Sequence, residues 1–427
     1  MTENAFILNF LKLYNMLWRL CLPFLKKNKR LRPGFKQRVD TTHLSKADIW
    51  IQAASAGEAY LAVNIIKTFK FKTSTPILVT AITSQGIDIL KKNLSKPDID
   101  PNTDLSIQWF PFDMPVTMQK AIKKIDPKVM VLLETELWPA LLYYLKTHRI
   151  KTIIVNARLS QNSFKNYMRT KFLWRHLAPD QILATSKQDR DRYAQLFETA
   201  VVQTMSNIKF EAFDNNDLDI AVKQKIKSIL PDTLPLTILA SVRKEEEEII
   251  FKLSQTLLNT FPDQVVAIFP RHMHRINAWR KMLAKGQHHF ECRSNLVSPF
   301  NGPGIILWDT FGELKTAYGL ANVVFVGGSL KPLGGQNFIE PAMQGAITIT
   351  GPYYDDFAWA TEQIFSKKIV IKKQTPDGIC DAILSGLKDP SHRSCRIKLC
   401  KDYVQSNMGG TQHACREIMG KVFDGST

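Results

Sequence analysis

Residues 49–69 read IWIQAASAGEAYLAVNIIKTF. An apolar run, Ile49–Ala53, turns through the small residues Ala54–Gly57 into an acid, Glu58, and then into apolar residues at helical spacing as far as Phe69. A short continuous apolar run suits a strand buried on both faces, and the spacing after Glu58 suits an amphipathic helix. The unit recurs along the chain. Strand-like runs stand at Pro76–Ala81, Leu105–Phe110, Lys128–Leu133, Thr152–Asn156 and Gln181–Thr185, separated by helical stretches such as Gln85–Lys92, Val116–Ile125 and Ala140–His148. This alternation predicts βαβ units on a parallel sheet.

A polar stretch from Glu211 to Asp232, punctuated by Asn215, Asn216, Pro231 and Pro235, interrupts the pattern and reads as an inter-domain connection. The alternation then restarts. Strand-like runs follow at Leu236–Ala240, Val265–Phe269, Gly304–Trp308, Val323–Val326, Ala346–Thr350 and Lys368–Ile371, with helices at Glu245–Phe261 and Phe311–Ala321. A chain of 427 residues has room for two such domains. The expected α/β organisation is an N-terminal membrane-associated helix and basic segment at 1–40, a Rossmann-like domain at 41–210, a linker at 211–235, and a second Rossmann-like domain with C-terminal helices at 236–427. Two such halves joined by one linker make the GT-B architecture of glycosyltransferases, with an active-site cleft between the domains. Ligands in open α/β sheets bind beyond the carboxyl ends of the strands.

The composition is 44% hydrophobic and 22% charged, which excludes disordered, collagen-like and disulfide-scaffold classes. The charge is unusual. Lys and Arg number 57 against 39 Asp and Glu, a net +18, and such a surplus predicts an anionic partner: nucleic acid, an acidic lipid surface or a phosphorylated substrate. Residues 1–40 hold nine basic residues and two acids, +7 of that total. Within them the apolar stretch Phe6–Leu25 is interrupted by Lys12 and Arg19, and a charge near the centre of a spanning helix costs roughly 2.5–3.5 kcal/mol. Asn9, Lys12, Asn15 and Arg19 share one helical face, with Phe6, Phe10, Leu13, Leu17 and Trp18 away from it. That pattern fits a helix lying in a membrane interface. The basic run after it would add about 1 kcal/mol per Lys or Arg at an anionic leaflet. A short tilted span and a helix packed on the body are the competing readings, and a cleaved signal peptide is disfavoured by the missing small-residue cleavage site.

Cys21, Cys292, Cys380, Cys395, Cys400 and Cys415 form no CxxC pair, and with His392 and His413 they match no zinc spacing. Free thiols in a reducing compartment are expected. Asp98/Asp100 and Asp217/Asp219 imitate a DxD metal–nucleotide motif, but neither pair follows a strand-like run, so no metal and no cofactor are expected.

Reading only the ends of the strand-like runs yields a short series of motifs. ASAGE (Ala54–Glu58) follows the first run and ETELWP (Glu134–Pro139) the fourth; NARLS (Asn156–Ser160) follows the fifth, and SNIKF (Ser206–Phe210) brings Lys209 to the domain junction. In the second half come PRH (Pro270–His272), FGE (Phe311–Glu313), and VGGS (Val326–Ser329) leading to GGQNFIEP (Gly334–Pro341). Together these motifs resemble the 3-deoxy-D-manno-octulosonic acid (Kdo) transferases, GT-B enzymes that add Kdo to the lipid A precursor, over roughly residues 5–360. ETELWP and the GGxNxxEP pattern beside VGGS are the specific carriers.

The resemblance implies Kdo transfer from CMP-Kdo to lipid IVA in lipopolysaccharide biosynthesis, at the cytoplasmic side of the inner membrane. It makes the first Rossmann-like domain the acceptor-binding one and the second the CMP-sugar-binding one. It casts Glu58 as the general base, with Glu134 and Lys209 assisting the transition state. Pro270, Arg271, Phe311, Gly312, Glu313, Asn337, Phe338, Ile339 and Glu340 would hold CMP. The implied partners are CMP-Kdo, the lipid A precursor and an anionic membrane surface. Nucleic acid is not expected, because the chain lacks aromatic–basic interleaving and any known RNA or DNA motif.

The residue types suit that chemistry independently. A sugar hydroxyl attacking an anomeric carbon needs a base within hydrogen-bond reach, and a carboxylate at a helix start can serve. A departing phosphate needs cations, for which Arg271 and Lys209 are suited. Helix N-termini after VGGS and before Glu340 would offer N–H groups to phosphate, and Glu340 an acid for ribose hydroxyls. Each residue also has a plain structural use. Glu58 can favour the first turn of its helix through the macrodipole, at least one of Glu134 and Glu136 is expected to hold a loop, Arg271 and His272 can be surface residues, Lys209 can be solvated linker, and the glycines are turn formers first. Two departures from the family pattern stand out. Gln336 and Phe338 replace the His and Pro of Gly-Gly-His-Asn-Pro-Leu-Glu-Pro, and Val242–Glu247 replaces Thr-His-Glu-Gly-Glu-Glu. Gln keeps a hydrogen-bonding group but not a titratable one.

Overall fold

Seven parallel strands form the first sheet, and its inner strands are largely apolar because helices cover both faces. They are β1 Ile49–Ala53, β2 Thr75–Ala81, β3 Thr103–Trp109, β4 Val129–Leu133, β5 Lys151–Ala157, β6 Gln181–Ala184 and β7 Val201–Thr204, in the order β3-β2-β1-β4-β5-β6-β7. Alternate residues of β1 point to opposite faces: Trp50 joins the helices Pro115–Ile125 and Pro139–Thr147 in one core, and Ile49, Ile51 and Ala53 join the helix Ala56–Thr68 in the other. The strand-like runs read from the sequence lie within a residue or two of these strands. β7 escaped notice because it is a short, mostly exposed edge strand with no apolar run.

The computed structural model describes residues 3–28, 31–213, 220–231, 233–360, 362–389 and 392–423. The chain divides into two units, one of residues 1–212 with 407–427 and the other of 213–406. The second unit carries a second parallel sheet, made of β8 Leu236–Val242, β9 Val265–Pro270, β10 Phe290–Cys292, β11 Gly304–Leu307, β12 Val323–Val326, β13 Ile347–Thr350 and β14 Val370–Lys372, in the order β10-β11-β9-β8-β12-β13-β14. Three-residue β10, a Phe-Glu-Cys edge strand, was also missed from sequence.

Two boundaries differ from expectation. The last helix, Gly410–Phe423, belongs to the first unit rather than the second: Ala414, Cys415, Ile418 and Val422 pack into the core beneath the Ala56–Thr68 helix. Glu211 fixes its start, accepting hydrogen bonds from the N–H groups of Gly409 and Thr411, and Gln181 donates to Glu417 at 2.7 Å. The 211–235 linker is shorter than expected. Its helix Ile220–Lys227 buries Ile226, and the next turn is tied into the second unit by the Phe300 N–H donating to Ile229 O at 2.9 Å. Asn215, Asn216, Asp217 and Asp219 lie outside the described residues, as do Lys29 and Arg30 of the basic run.

The N-terminal helix, Glu3–Lys27, presents three stripes. Ile7, Leu11, Tyr14 and Trp18 face the first unit; Ile7 and Leu11 enter its core, Trp18 meets Phe112, and Tyr14 OH donates to Asp113 at 3.1 Å. Lys12, Arg19 and Lys26 make a basic stripe, and Leu13, Met16, Leu17, Leu20 and Phe24 stay exposed. The apolar side seen in sequence therefore splits: Phe10 and Trp18 go to the body, and Phe6, Leu13 and Leu17 remain outside. Among the described residues no helix is long and apolar enough to cross a membrane.

Candidate active site

The order of the first sheet reverses between β1 and β4, the place where an open sheet leaves a crevice at its carboxyl edge. Both strands end there in acids. After β1, Ser55 caps the Ala56–Thr68 helix, its Oγ accepting from the Glu58 N–H at 3.3 Å. The Glu58 side chain turns back and accepts from Ser55 Oγ at 3.1 Å and from the Ala54 N–H, as in a capping box. Glu58 thus serves its helix. It is only 8% exposed, and burial pushes its carboxyl up to about 7 with a further push from Glu134, against the opposing Ala54 and Ser55 hydrogen bonds. A base of that proton affinity suits general-base work near neutrality.

Glu134, the first residue past β4, has a φ of 54°. A non-glycine residue in that region stores strain, about 1–3 kcal/mol, and such residues cluster at functional sites. Its Oε1 accepts from Lys209 Nζ at 2.6 Å and stands 4.0 Å from the Arg158 guanidinium. Lys209 is therefore an ion-paired residue of the site rather than solvated linker. Asn156, also at positive φ, accepts from the Ile208 N–H at 2.9 Å and so pins the segment that carries Lys209. Glu136 is buried beside the pair, its Oε2 accepting from Trp138 Nε1 at 2.7 Å. Burial pushes it up to about 8, and the charge of Glu58 adds to that. The loop itself is set by Asp113, which follows β3: its carboxylate accepts the N–H groups of Ala140 and Leu141 at the start of the Pro139–Thr147 helix, at 3.0 and 2.8 Å.

In the second unit the order reverses between β8 and β12, and here the expected phosphate cradle is already filled. Fully buried Glu246 accepts from the Gly328 N–H at 2.6 Å and the Leu330 N–H at 2.7 Å, the Gly327 N–H donates to Ala240 O, and no helix follows VGGS. The VGGS amides are thus not a phosphate site. Glu246, from the divergent 242–247 segment, holds that loop to the end of β8.

The expected nucleotide residues sort into two groups. Arg271, just past Pro270 at the end of β9, is exposed and faces Glu340 and Tyr318. Glu340 lies half-buried with Asn337 Nδ2 donating to it at 2.9 Å; burial raises its carboxyl, opposed by that bond and by Lys315 and Arg271. Asn337, Glu340, Arg271 and Lys315 therefore converge. Phe311 is 92% exposed, and Gly312 beside it takes a φ of 88°. The other three differ from expectation. Phe338 is fully buried against Tyr354, Phe357 and Phe365, and Ile339 is fully buried too, so these side chains anchor the loop instead of touching a ligand. The Glu313 carboxylate is taken up by both prongs of Arg293, at 3.1 and 3.2 Å, and by Trp308 and Thr310. It shapes the turn that presents Phe311.

The family profile described as 3-deoxy-D-manno-octulosonic-acid transferase (kdotransferase) matches residues 28–212. The 3-deoxy-D-manno-octulosonic acid transferase of Haemophilus influenzae is 31% identical over 85% of this chain and 84% of its own. The chain belongs to the Kdo transferase family. A bifunctional glycosyltransferase/methyltransferase of Fusobacterium nucleatum is 28% identical over 87% of this chain and 58% of its own length. Among solved structures, a glycosyltransferase from Rickettsia africae matches with a TM-score of 0.61 and 13% identity, over 90% of this chain and 100% of that one. That likeness concerns the fold, which is GT-B: two Rossmann-like units.

Several residues that shape the candidate site of this Kdo transferase left little or no signal in the sequence. Glu136 was seen only as half of an acid pair. Gln52 is the one polar side chain in the IWIQA run, an interruption that could have been noticed; it is fully buried, with Thr80 Oγ1 donating to its Oε1 at 2.6 Å. Asp113 stands two residues before the Pro115–Ile125 helix but serves the start of the Pro139–Thr147 helix instead, a partner that its place in the sequence does not show. Glu246 and Arg293 left no signal, since both act on loops distant in sequence.

Proposed function

We propose that this enzyme transfers Kdo from CMP-Kdo to the lipid A precursor lipid IVA. Glu58 takes the proton of the attacking acceptor hydroxyl as the new bond forms at the anomeric carbon. The bond from that carbon to the CMP phosphate breaks, and the electron pair leaves with CMP. Arg271 meets the phosphate of the nucleotide, Asn337 and Glu340 its polar groups, and Phe311 offers an exposed ring to stack upon. Lys209, held by Glu134, stabilises the charge that develops as the donor bond breaks. The step draws on protein groups alone, with no metal or cofactor.

The observation that carries this reading is the buried Glu58 carboxyl beside the Lys209–Glu134 pair at the switch point of the first sheet. The family relationship supports the sugar, and the convergence of Arg271, Asn337 and Glu340 supports the nucleotide. We place the enzyme on the cytoplasmic face of the inner membrane, docked through the exposed apolar stripe of the Glu3–Lys27 helix with its basic stripe toward acidic headgroups. Thermal-shift titration with CMP against UDP tests the donor: stabilisation by CMP is expected, and stabilisation by UDP alone would overturn it.

A further inference from the structure

Asp113 is buried, and both of its carboxylate oxygens are taken. Oδ1 accepts from the Leu141 N–H at 2.8 Å, and Oδ2 accepts from the Ala140 N–H at 3.0 Å and from the Tyr14 hydroxyl at 3.1 Å. A carboxylate at that place satisfies N–H groups that a helix start leaves open and meets the positive end of the helix dipole. Tyr14 arrives from the N-terminal helix. Its ring stacks on Phe10 at 5.7 Å and meets Trp18 edge-on at 6.2 Å, and Trp18 closes on Phe112, the neighbour of Asp113, at 5.4 Å. Leu13 and Leu17 of the same helix are exposed.

Residues 134–138 alone connect β4 to the Pro139–Thr147 helix. Their upstream end is fixed on the sheet: the Glu134 N–H donates to Val155 O at 3.0 Å, and the Tyr193 hydroxyl donates to Glu134 O at 3.3 Å. Their downstream end is the helix start that Asp113 holds. Between the two, Glu134 keeps its φ of 54°, and a non-glycine residue persists there only where the surrounding structure over-determines it. Resting on the transfer reaction proposed above, we infer that Tyr14 and Asp113 are positioning residues for Glu134 and, through it, for Lys209. The hydroxyl from the N-terminal helix completes the hold on the loop, so that this helix serves turnover as well as attachment. Without it Asp113 is free to turn, the helix start loosens and Glu134 relaxes. Lys209 Nζ, 2.6 Å from the Glu134 carboxylate, moves with it. Misplacement of a group that acts on the transition state lowers rate, and the residues that meet CMP belong to the other unit.

Tyr14→Phe removes only the hydroxyl. Full-length enzyme is assayed with CMP-Kdo and with lipid IVA dispersed in detergent, where attachment to a bilayer plays no part. Counted per CMP-binding site, kcat is expected to fall by about three- to tenfold with KM for CMP-Kdo within about twofold. Asp113→Asn is expected to cost about tenfold or more, and the double variant no more than Asp113→Asn alone, because Tyr14 acts through Asp113. An unchanged kcat in Tyr14→Phe, a loss confined to vesicles, or losses that multiply in the double variant would overturn the inference and leave the bond a structural tie. Should Asp113→Asn fail to fold, the kcat and KM of Tyr14→Phe decide the matter. Absence of turnover by the wild-type enzyme with these substrates would instead overturn the transfer reaction on which the inference rests.

Discussion

A carboxylate takes a proton from a sugar hydroxyl efficiently only when its own proton affinity is raised toward the working pH. Burial does this for Glu58, and the hydrogen bonds from Ser55 and Ala54 fix where the carboxyl points. Glu58→Gln is expected to reduce transfer by a factor of about a thousand or more while leaving CMP affinity within twofold, measured as kcat against CMP titration; near-normal turnover would show that Glu58 is not the base. Lys209→Met is expected to lower kcat by about a hundredfold or more with little change in CMP affinity. It also strands Glu134 without its cation, so a Lys209→Arg variant should recover part of the loss. Much of this candidate site was legible, because Glu134 and Arg271 stand at the ends of apolar runs and Glu58 opens the helix that follows one. The failures share a cause. Phe338, Ile339 and Glu313 sit inside motif segments, yet the fold turns their side chains inward, and a linear motif does not say which way a side chain points.

At the level of elements, loops are held to strand ends by buried acids. Asp113 starts the Pro139–Thr147 helix and receives Tyr14 from the N-terminal helix, and Glu246 binds the loop after β12 to the end of β8. Burial pushes Asp113 up to about 7 and Glu136 to about 8. With Glu58 these acids bind protons more tightly folded than unfolded, so their contribution to stability is full below their ordinary values near pH 4. It is lost as pH rises through about 7 to 8. Melting temperature should therefore fall between about pH 5 and pH 8.5, and Asp113→Asn should flatten that dependence; a melting temperature that rises over this range would contradict the assignment. The strands themselves were readable from apolar runs, except for β7 and β10 at the edges, where a strand buries too little to need one. The last helix was misassigned for another reason. Its apolar face, Ala414, Ile418 and Val422, shows that it packs but not against which core, and that is decided by contacts with residues some 350 positions earlier, such as Cys415 with Ile65.

For the molecule as a whole, the net +18 divides by place. Part forms the basic stripe of the N-terminal helix, beside an apolar stripe that ends in Phe24, 76% exposed. Leu20→Glu with Phe24→Glu is expected to cut binding to vesicles containing acidic lipid by about tenfold or more, since burying each side chain is worth about 1.5–3 kcal/mol. Binding by the unmodified enzyme should weaken with added salt. Unchanged vesicle binding by the variant would remove that helix as the anchor. The rest of the surplus includes Arg271 and Lys315, which face Glu340 in one unit, and Lys209 and Arg158, which meet Glu134 in the other. The proposed transfer can be watched directly. Full-length enzyme is incubated with CMP-Kdo and lipid IVA, and the products are read by mass spectrometry. Lipid IVA gaining the mass of Kdo, with one CMP released per sugar added, is the expected result; unchanged lipid IVA and unconsumed CMP-Kdo in the presence of folded enzyme would contradict it.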